Sequence, residues 1–300
     1  MKIAVTTPTG HVGSAVANLL LDSENDVTVR LLGRRPDKLK DFVQRGAEFV
    51  AGSQDDQKYM IRATKDVDAL FWVTPPGYGC DDVREFQNRI GQSGAAAIRA
   101  NKIPRVVNLS SLGANLKSGT GPIGGLYDVE NIFNEAAKNV THLRPGFFFE
   151  NLFWQLDPIQ RAGVISLPLS GDTRFPMIAC HDIARVAVQR LTEAKWTGQN
   201  VQELHGAADV SFNEVAEALT DVLGKKITYV RCDPKEFRQI MLDNSMSENA
   251  ADAMLELYDA ADSGLIKPTQ QRSAKTTTPT NLLEFLHESL LPLIAQPVGR

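Results

Sequence analysis

Short apolar runs alternate with helically spaced apolar positions through the first half of the chain. Ile3–Val5, Val27–Leu32, Glu48–Val50, Ala69–Val73 and Arg105–Leu109 read as strands. Between them, Ser14–Leu21 reads as a helix with Val16, Leu19 and Leu20 on its apolar side. Asp37–Arg45 reads as a second helix, with Leu39 and Phe42 three apart, and Gln57–Thr64 as a third. A longer helix follows Asp81 and Asp82, which supply N-cap chemistry. There Val83, Phe86, Ile90, Gly94 and Ile98 recur at spacings of three and four and mark one face. Strands alternating with helices in this way predict βαβ units and a parallel sheet, an α/β fold class.

The pattern loosens after residue 150. Val164–Leu169 reads as a strand, followed by a turn at Gly171-Asp172-Thr173, and His181 or Asp182 could cap a helix running to Leu191. Ser211 precedes a helix over Phe212–Leu223 that Gly224 ends, and Ile227–Val230 reads as a strand. The remainder is helical, with a Thr-Pro-Thr break at 278–280 before Asn281–Leu291. These signals predict a first domain over 1–150 and a smaller α/β C-terminal substrate region over 151–300, partly interleaved with the first.

Composition narrows the function classes. The 300 residues are 43% apolar and 23% charged, an ordinary globular balance with material for a sizeable core. Net charge is −4, and the densest basic stretch, Arg30 to Lys40, has a more specific explanation than nucleic acid, so no direct nucleic-acid binding is expected. Cys80, Cys180 and Cys232 are far apart and have neither metal-ligand spacing nor a disulfide framework. No metal is expected. No apolar run approaches the roughly 20 residues of a membrane span. The first residues run straight into a strand pattern without a signal-peptide layout, so a cytoplasmic location and no membrane contact are the expectation.

The strongest chemical signal is Val5-Thr6-Thr7-Pro8-Thr9-Gly10-His11-Val12-Gly13-Ser14, between the first strand and the first helix. A pyrophosphate is held by backbone N–H donors at a helix N-terminus, where partial positive charge accumulates. Gly10 has the place that lets backbone approach the ligand, and Gly13 the place that lets helix pack on strand. Thr7 and Thr9 add hydroxyls, and His11 and Val12 open the helix. In a βαβ series this loop predicts a Rossmann-type, doubly wound dinucleotide-binding sheet; the alternative is a tight turn with no ligand.

The loop resembles the T-G-A-T-G-x-x-G segment of atypical short-chain dehydrogenases, specifically the NmrA-like group. Thr7 stands at that pattern's first glycine and Pro8 at its alanine. The resemblance continues in order along nearly the whole chain. Arg34-Arg35-Pro36-Asp37-Lys38 is similar to R-x-P-x-K, Val67–Phe71 to G-V-D-A-V-F, and Val107-Asn108-Leu109-Ser110-Ser111 to the fifth strand. Leu143–Asn151 is similar to the R-P-x-x-F-x-E-N block. Gly52–Asp56 resembles G-D-x-x-D with Ser53 in place of its first aspartate, which weakens the adenine contact expected there. The resemblance also implies that Thr74-Pro75-Pro76 and Ser110 pass beside the cofactor.

Cofactor choice is legible after the second strand. NAD enzymes often place an acidic residue there, roughly 20 residues past the glycines, for the ribose 2′-hydroxyl. Here Gly33 is followed by Arg34, Arg35 and Lys38, with Arg34 lying 21 residues beyond Gly13. Guanidinium forks suit a 2′-phosphate. NADP(H) is expected over NAD(H), against the alternative of a solvated basic turn.

Carbonyl reduction needs a positioned acid, which typical relatives supply with Tyr-x-x-x-Lys. The residues four places after Tyr59, Tyr78, Tyr127, Tyr229 and Tyr258 are Ala63, Asp82, Asn131, Asp233 and Asp262. None is lysine. Anchored on Glu130 and Arg144, the comparison puts Leu126 at the position of the lysine. Tyr127 lies in the right region and is either an acid or a wall or core residue. Phe147, Phe148 and Phe149, with Phe153 and Trp154, could wall an apolar pocket or be core, and Asn151 could orient a ligand. The resemblance implies two functions. One is hydride transfer from NADPH to a quinone-like small acceptor that takes its protons from solvent. The other is a redox sensor that reads the NADPH/NADP⁺ ratio and docks a protein partner.

Overall fold

The computed structural model describes residues 1–23, 26–193 and 195–295. Five parallel strands come from the first half: β1 (Lys2–Thr6), β2 (Thr28–Gly33), β3 (Glu48–Ala51), β4 (Ala69–Val73) and β5 (Arg105–Leu109). β6 (Val140–Pro145) extends the sheet. The chain then leaves it through β7 (Phe147–Phe148), β8 (Val164–Leu167) and β9 (Phe175–Ile178), and re-enters as β10 (Gln199–Leu204). The order β10-β6-β5-β4-β1-β2-β3 is parallel throughout. Strand order reverses between β1 and β4, the switch point where such sheets take their ligands. Thr6 stitches that point: its Oγ1 donates to the Phe71 carbonyl at 3.2 Å and accepts from the Val73 N–H at 2.9 Å.

Both sheet faces are covered, which is why the central strands are continuous apolar runs. Ile3, Val5, Phe71, Val107 and Leu143 face one core with α1 (His11–Leu21), beside α2 (Lys40–Gln44). Ala4, Leu70, Trp72, Val106 and Val140 face the other, beneath α3 (Gln57–Ala63), α4 (Val83–Asn101) and α5 (Ile123–Ala136). Asp82 caps α4 by accepting from the Glu85 N–H. Gly94 lets α4 sit down on Trp72 and Phe133, whose rings meet edge to face at 5.3 Å.

Beyond β7 come a 3₁₀ stretch (Phe149–Gln155), α6 (Leu156–Ala162) and α7 (Cys180–Thr192), which packs on α1. The seventh strand of the main sheet and α7 therefore come from beyond residue 150. A second core gathers Phe149, Leu167, Met177, Phe212 and Phe285 among others. It is built on β11 (Asp209–Val210), α8 (Phe212–Leu223), β12 (Thr228–Arg231), α9 (Pro234–Asp243) and α10 (Glu248–Asp262). Ser211 and Glu214 close α8 with a reciprocal capping box, and Gly224 ends it in the left-handed region.

Three local readings are corrected. The region after β2 is a 3₁₀ turn (Pro36–Leu39) and then α2, not one helix, and it begins on the proline. α7 begins at Cys180, before His181 and Asp182, and neither of these is its N-cap. Its first N–H donates instead to Glu150, at 2.8 and 3.0 Å from the two carboxylate oxygens. The C-terminal helix passes through a π turn at Leu286–Leu290.

Candidate cofactor and substrate site

The phosphate loop joins β1 to α1 at the switch point. Thr7 adopts φ +47°, the left-handed region that a β-branched residue rarely enters. The Gly10 N–H donates to the Thr7 carbonyl at 3.0 Å, closing the turn. A Cβ at Gly13 would overlap that same carbonyl oxygen, so only glycine lets α1 seat here. No side chain of the described residues caps α1, and its first turn has no acidic residue. The first turn of α1, at His11, Val12 and Gly13, thus presents uncapped N–H donors beyond Gly10. Beside it the Thr7 hydroxyl is buried without a partner. An uncapped helix N-terminus beside an orphaned hydroxyl fits a pyrophosphate. Thr9 and His11 are exposed at the rim, whereas the Val12 side chain is buried in the core.

Arg34, Arg35 and Lys38 follow at the end of β2, all exposed and, among the described residues, without an ion pair. The neighbouring Arg30 is engaged, its Nε donating to Glu48 at 2.7 Å. Three unpaired cations beside the loop fit an additional phosphate.

A cavity of about 420 Å³ opens beside the ends of β4 and β5, where Val73, Thr74, Leu109 and Ser110 line it. Thr74 accepts from the Trp72 indole N–H at 3.0 Å, while the buried Ser110 hydroxyl has no partner. Of the proline pair, Pro76 lines the cavity and Pro75 does not. Phe147, Phe148 and Asn151 line it together with Phe175 and Phe212, whose rings meet Phe147 at 5.7 and 5.5 Å. Phe149 points instead into the second core, stacked on Phe285 at 5.0 Å.

Tyr127 is not among the lining residues; α5 presents Pro122, Ile123 and Leu126. Around the helix axis Pro122, Leu126 and Ile123 fall within an arc of about 100°, and Tyr127 lies beyond its edge, about 100° from Leu126. His181 is exposed on α7, accepting at Nε2 from Arg185 Nε at 2.9 Å, away from the cavity lining.

Sequence reading missed the wall from α9, α10 and the turn between them: Phe237, Met241, Met246, Met254 and Tyr258. It also missed Gln87 on α4. Periodicity marks these helices but not the side they turn to a cavity. None of the cavity-lining residues is Asp, Glu, Lys, Arg or His. Burial pushes the phenols of Tyr78 and Tyr258 up, so both remain protonated at neutral pH. Glu130 and Arg144 form a buried two-pronged ion pair at 2.6 and 2.9 Å, which ties α5 to β6. Among the described residues no His/Cys/Asp/Glu cluster could hold a metal, and the cysteines are free. No described helix is long and apolar enough to cross a membrane.

A parallel sheet with this strand order, an uncapped glycine loop at its switch point and an adjoining cavity define a Rossmann-type dinucleotide-binding protein. The chain belongs to the NmrA-like family, whose sequence profile matches residues 1–286. It is 31% identical over 262 residues to the NAD(P)H azoreductase of Xenophilus azovorans, covering 86% of this chain and 87% of that one. The crystal structure of the Citrobacter sp. triphenylmethane reductase complexed with NADP(H) matches it with a TM-score of 0.80. That match covers 96% of this chain and 100% of the reductase at 20% identity. The NADPH-dependent quinone oxidoreductase of Escherichia coli, complexed with NADPH, gives 0.74 over 96% and 99% at 21% identity. These structures share the fold, and all three proteins are reductases by name.

Proposed function

We propose that this protein is an NADPH-dependent reductase of flat, uncharged, apolar acceptors of the quinone type. The observation that carries this reading is the cavity: large enough for a two-ring aromatic, opening beside the cofactor loop, and without a charged side chain in its wall. Gly10, Gly13 and the helix N-terminus hold the pyrophosphate, Thr7 and Ser110 offer hydroxyls, and Arg34, Arg35 and Lys38 take the 2′-phosphate. The bound reduced nicotinamide supplies a hydride. The aromatic and methionine walls exclude water and hold the acceptor flat. With Pro122 and Leu126 in place of an acid pair, the chain has no dedicated donor there. An acceptor that gains two electrons as hydride and then one proton from solvent suits such a site. A charged acceptor would lose hydration that this wall cannot replace.

The test is NADPH consumption with a panel of naphthoquinones, neutral azo dyes and, as charged members, cationic triphenylmethane dyes, with and without protein. Turnover with neutral aromatic acceptors, and little with charged analogues of equal size, is expected. Tight NADPH binding with no turnover across the panel would overturn the reductase and favour a sensor.

A further inference from the structure

We propose that Gln87 is the residue that reads the acceptor's polar group, so that the cavity selects an aromatic body bearing a carbonyl or hydroxyl. The proposal rests on the acceptor-site reading of the cavity and names its recognition element. Gln87 lies four residues after Val83 and three before Ile90, on the stripe of α4 that is otherwise apolar and buried. It is 2% exposed, it lines the cavity, and its Oε1 has no hydrogen-bond partner among the described residues. A buried amide left in that state is costly unless a partner arrives. Gly125 makes room for it, since a Cβ there would displace the carboxamide. Pro122, Ile123 and Leu126 on the facing helix have no polar side-chain atom to compete.

A carboxamide both donates and accepts. Its N–H can donate to a quinone carbonyl, and its oxygen can accept from the hydroxyl that the carbonyl becomes on reduction. One side chain thus serves oxidised and reduced forms of an acceptor whose polar group changes from acceptor to donor. Ser110, also buried and unpartnered, offers a second hydroxyl on the β5 side of the same cavity.

The test uses the protein loaded with NADP⁺, so that nothing turns over, and titrates naphthalene, 1-naphthol and 1,4-naphthoquinone by calorimetry. The wild type should prefer the two oxygenated probes over naphthalene by about tenfold, the worth of one hydrogen bond. In Gln87→Leu, and in the near-isosteric Gln87→Met should the leucine variant fold poorly, that preference should collapse while naphthalene and NADP⁺ bind as before. An undiminished preference in a folded variant overturns the role of Gln87 and leaves the cavity an acceptor site. Failure of the wild type to bind any of the three probes overturns both readings.

Discussion

At the scale of single residues, the candidate site depends on a few side chains whose state the surroundings fix. Arg34 is exposed and unpaired beside the phosphate loop, so its charge is available to a ligand. Arg34→Glu should weaken NADPH binding tenfold or more, since a charge-assisted hydrogen bond is worth about 1.5–3 kcal/mol, and should change NADH binding far less. Titration of both cofactors against both proteins decides it, and equal losses would remove Arg34 from the phosphate site. Tyr127 carries the opposite expectation, because α5 turns Leu126 rather than Tyr127 to the cavity. Tyr127→Phe should leave reduction of a naphthoquinone largely intact. A loss of roughly 10²–10⁴-fold in a folded, NADPH-binding variant would instead mark a general acid.

At the scale of elements, the β1–α1 loop carries backbone strain at the proposed cofactor site. Thr7 at φ +47° takes a conformation that costs a residue with a Cβ roughly 1–2 kcal/mol. Thr7→Gly should therefore raise stability by about 1 kcal/mol, read as a higher urea midpoint of the ligand-free protein. No gain, or a loss, would mean that the buried side chain contributes more than the backbone strain costs. The start of α7 shows the same dependence on neighbours. Its N-terminal N–H is satisfied by Glu150, 30 residues away, whose carboxyl burial pushes up despite the hydrogen bonds from Cys180.

At the scale of the whole molecule, buried polar groups join segments distant in sequence and make stability depend on acid. His142 on β6 lies between Asn108 Nδ2 at 3.0 Å and Asn134 Oδ1 at 3.1 Å, and burial pushes it down to about 4. The unfolded chain protonates this imidazole below about 6.5, whereas the folded chain resists until about 4. Its contribution is therefore full above the unfolded value and is lost as pH falls from there through the folded one. Glu203 on β10 acts lower. Burial raises it, but hydrogen bonds from His205, Thr269 and Gln270 outweigh that and hold it at about 2. Urea midpoints measured from neutral pH downward should fall first in the histidine window and further below about 4.5, where unfolded glutamate takes its proton. His142→Asn should flatten the first decline alone. An unchanged slope there would show that another group carries it.

The sequence by itself determined the first five strands of the main sheet and the phosphate loop, but not β6 or β10. Each rests on short-range physics: apolar runs bounded by turns, glycines at fixed offsets, and caps such as Asp82 and Ser211 within three residues of the N–H they satisfy. Cofactor preference was equally local, since Arg34, Arg35 and Lys38 follow the second strand directly. Tertiary structure alone decided the cavity proposed as the acceptor site. Its wall gathers Thr74, Ser110, Leu126, Phe147 and Met254 from segments far apart in the chain. The side of α5 that meets the cavity depends on how that helix packs against α4, not on the residues of α5 alone. Gln87 reads in sequence as one polar break in an apolar stripe. Only the approach of Gly125 and the loss of every competing partner make its amide available to a ligand.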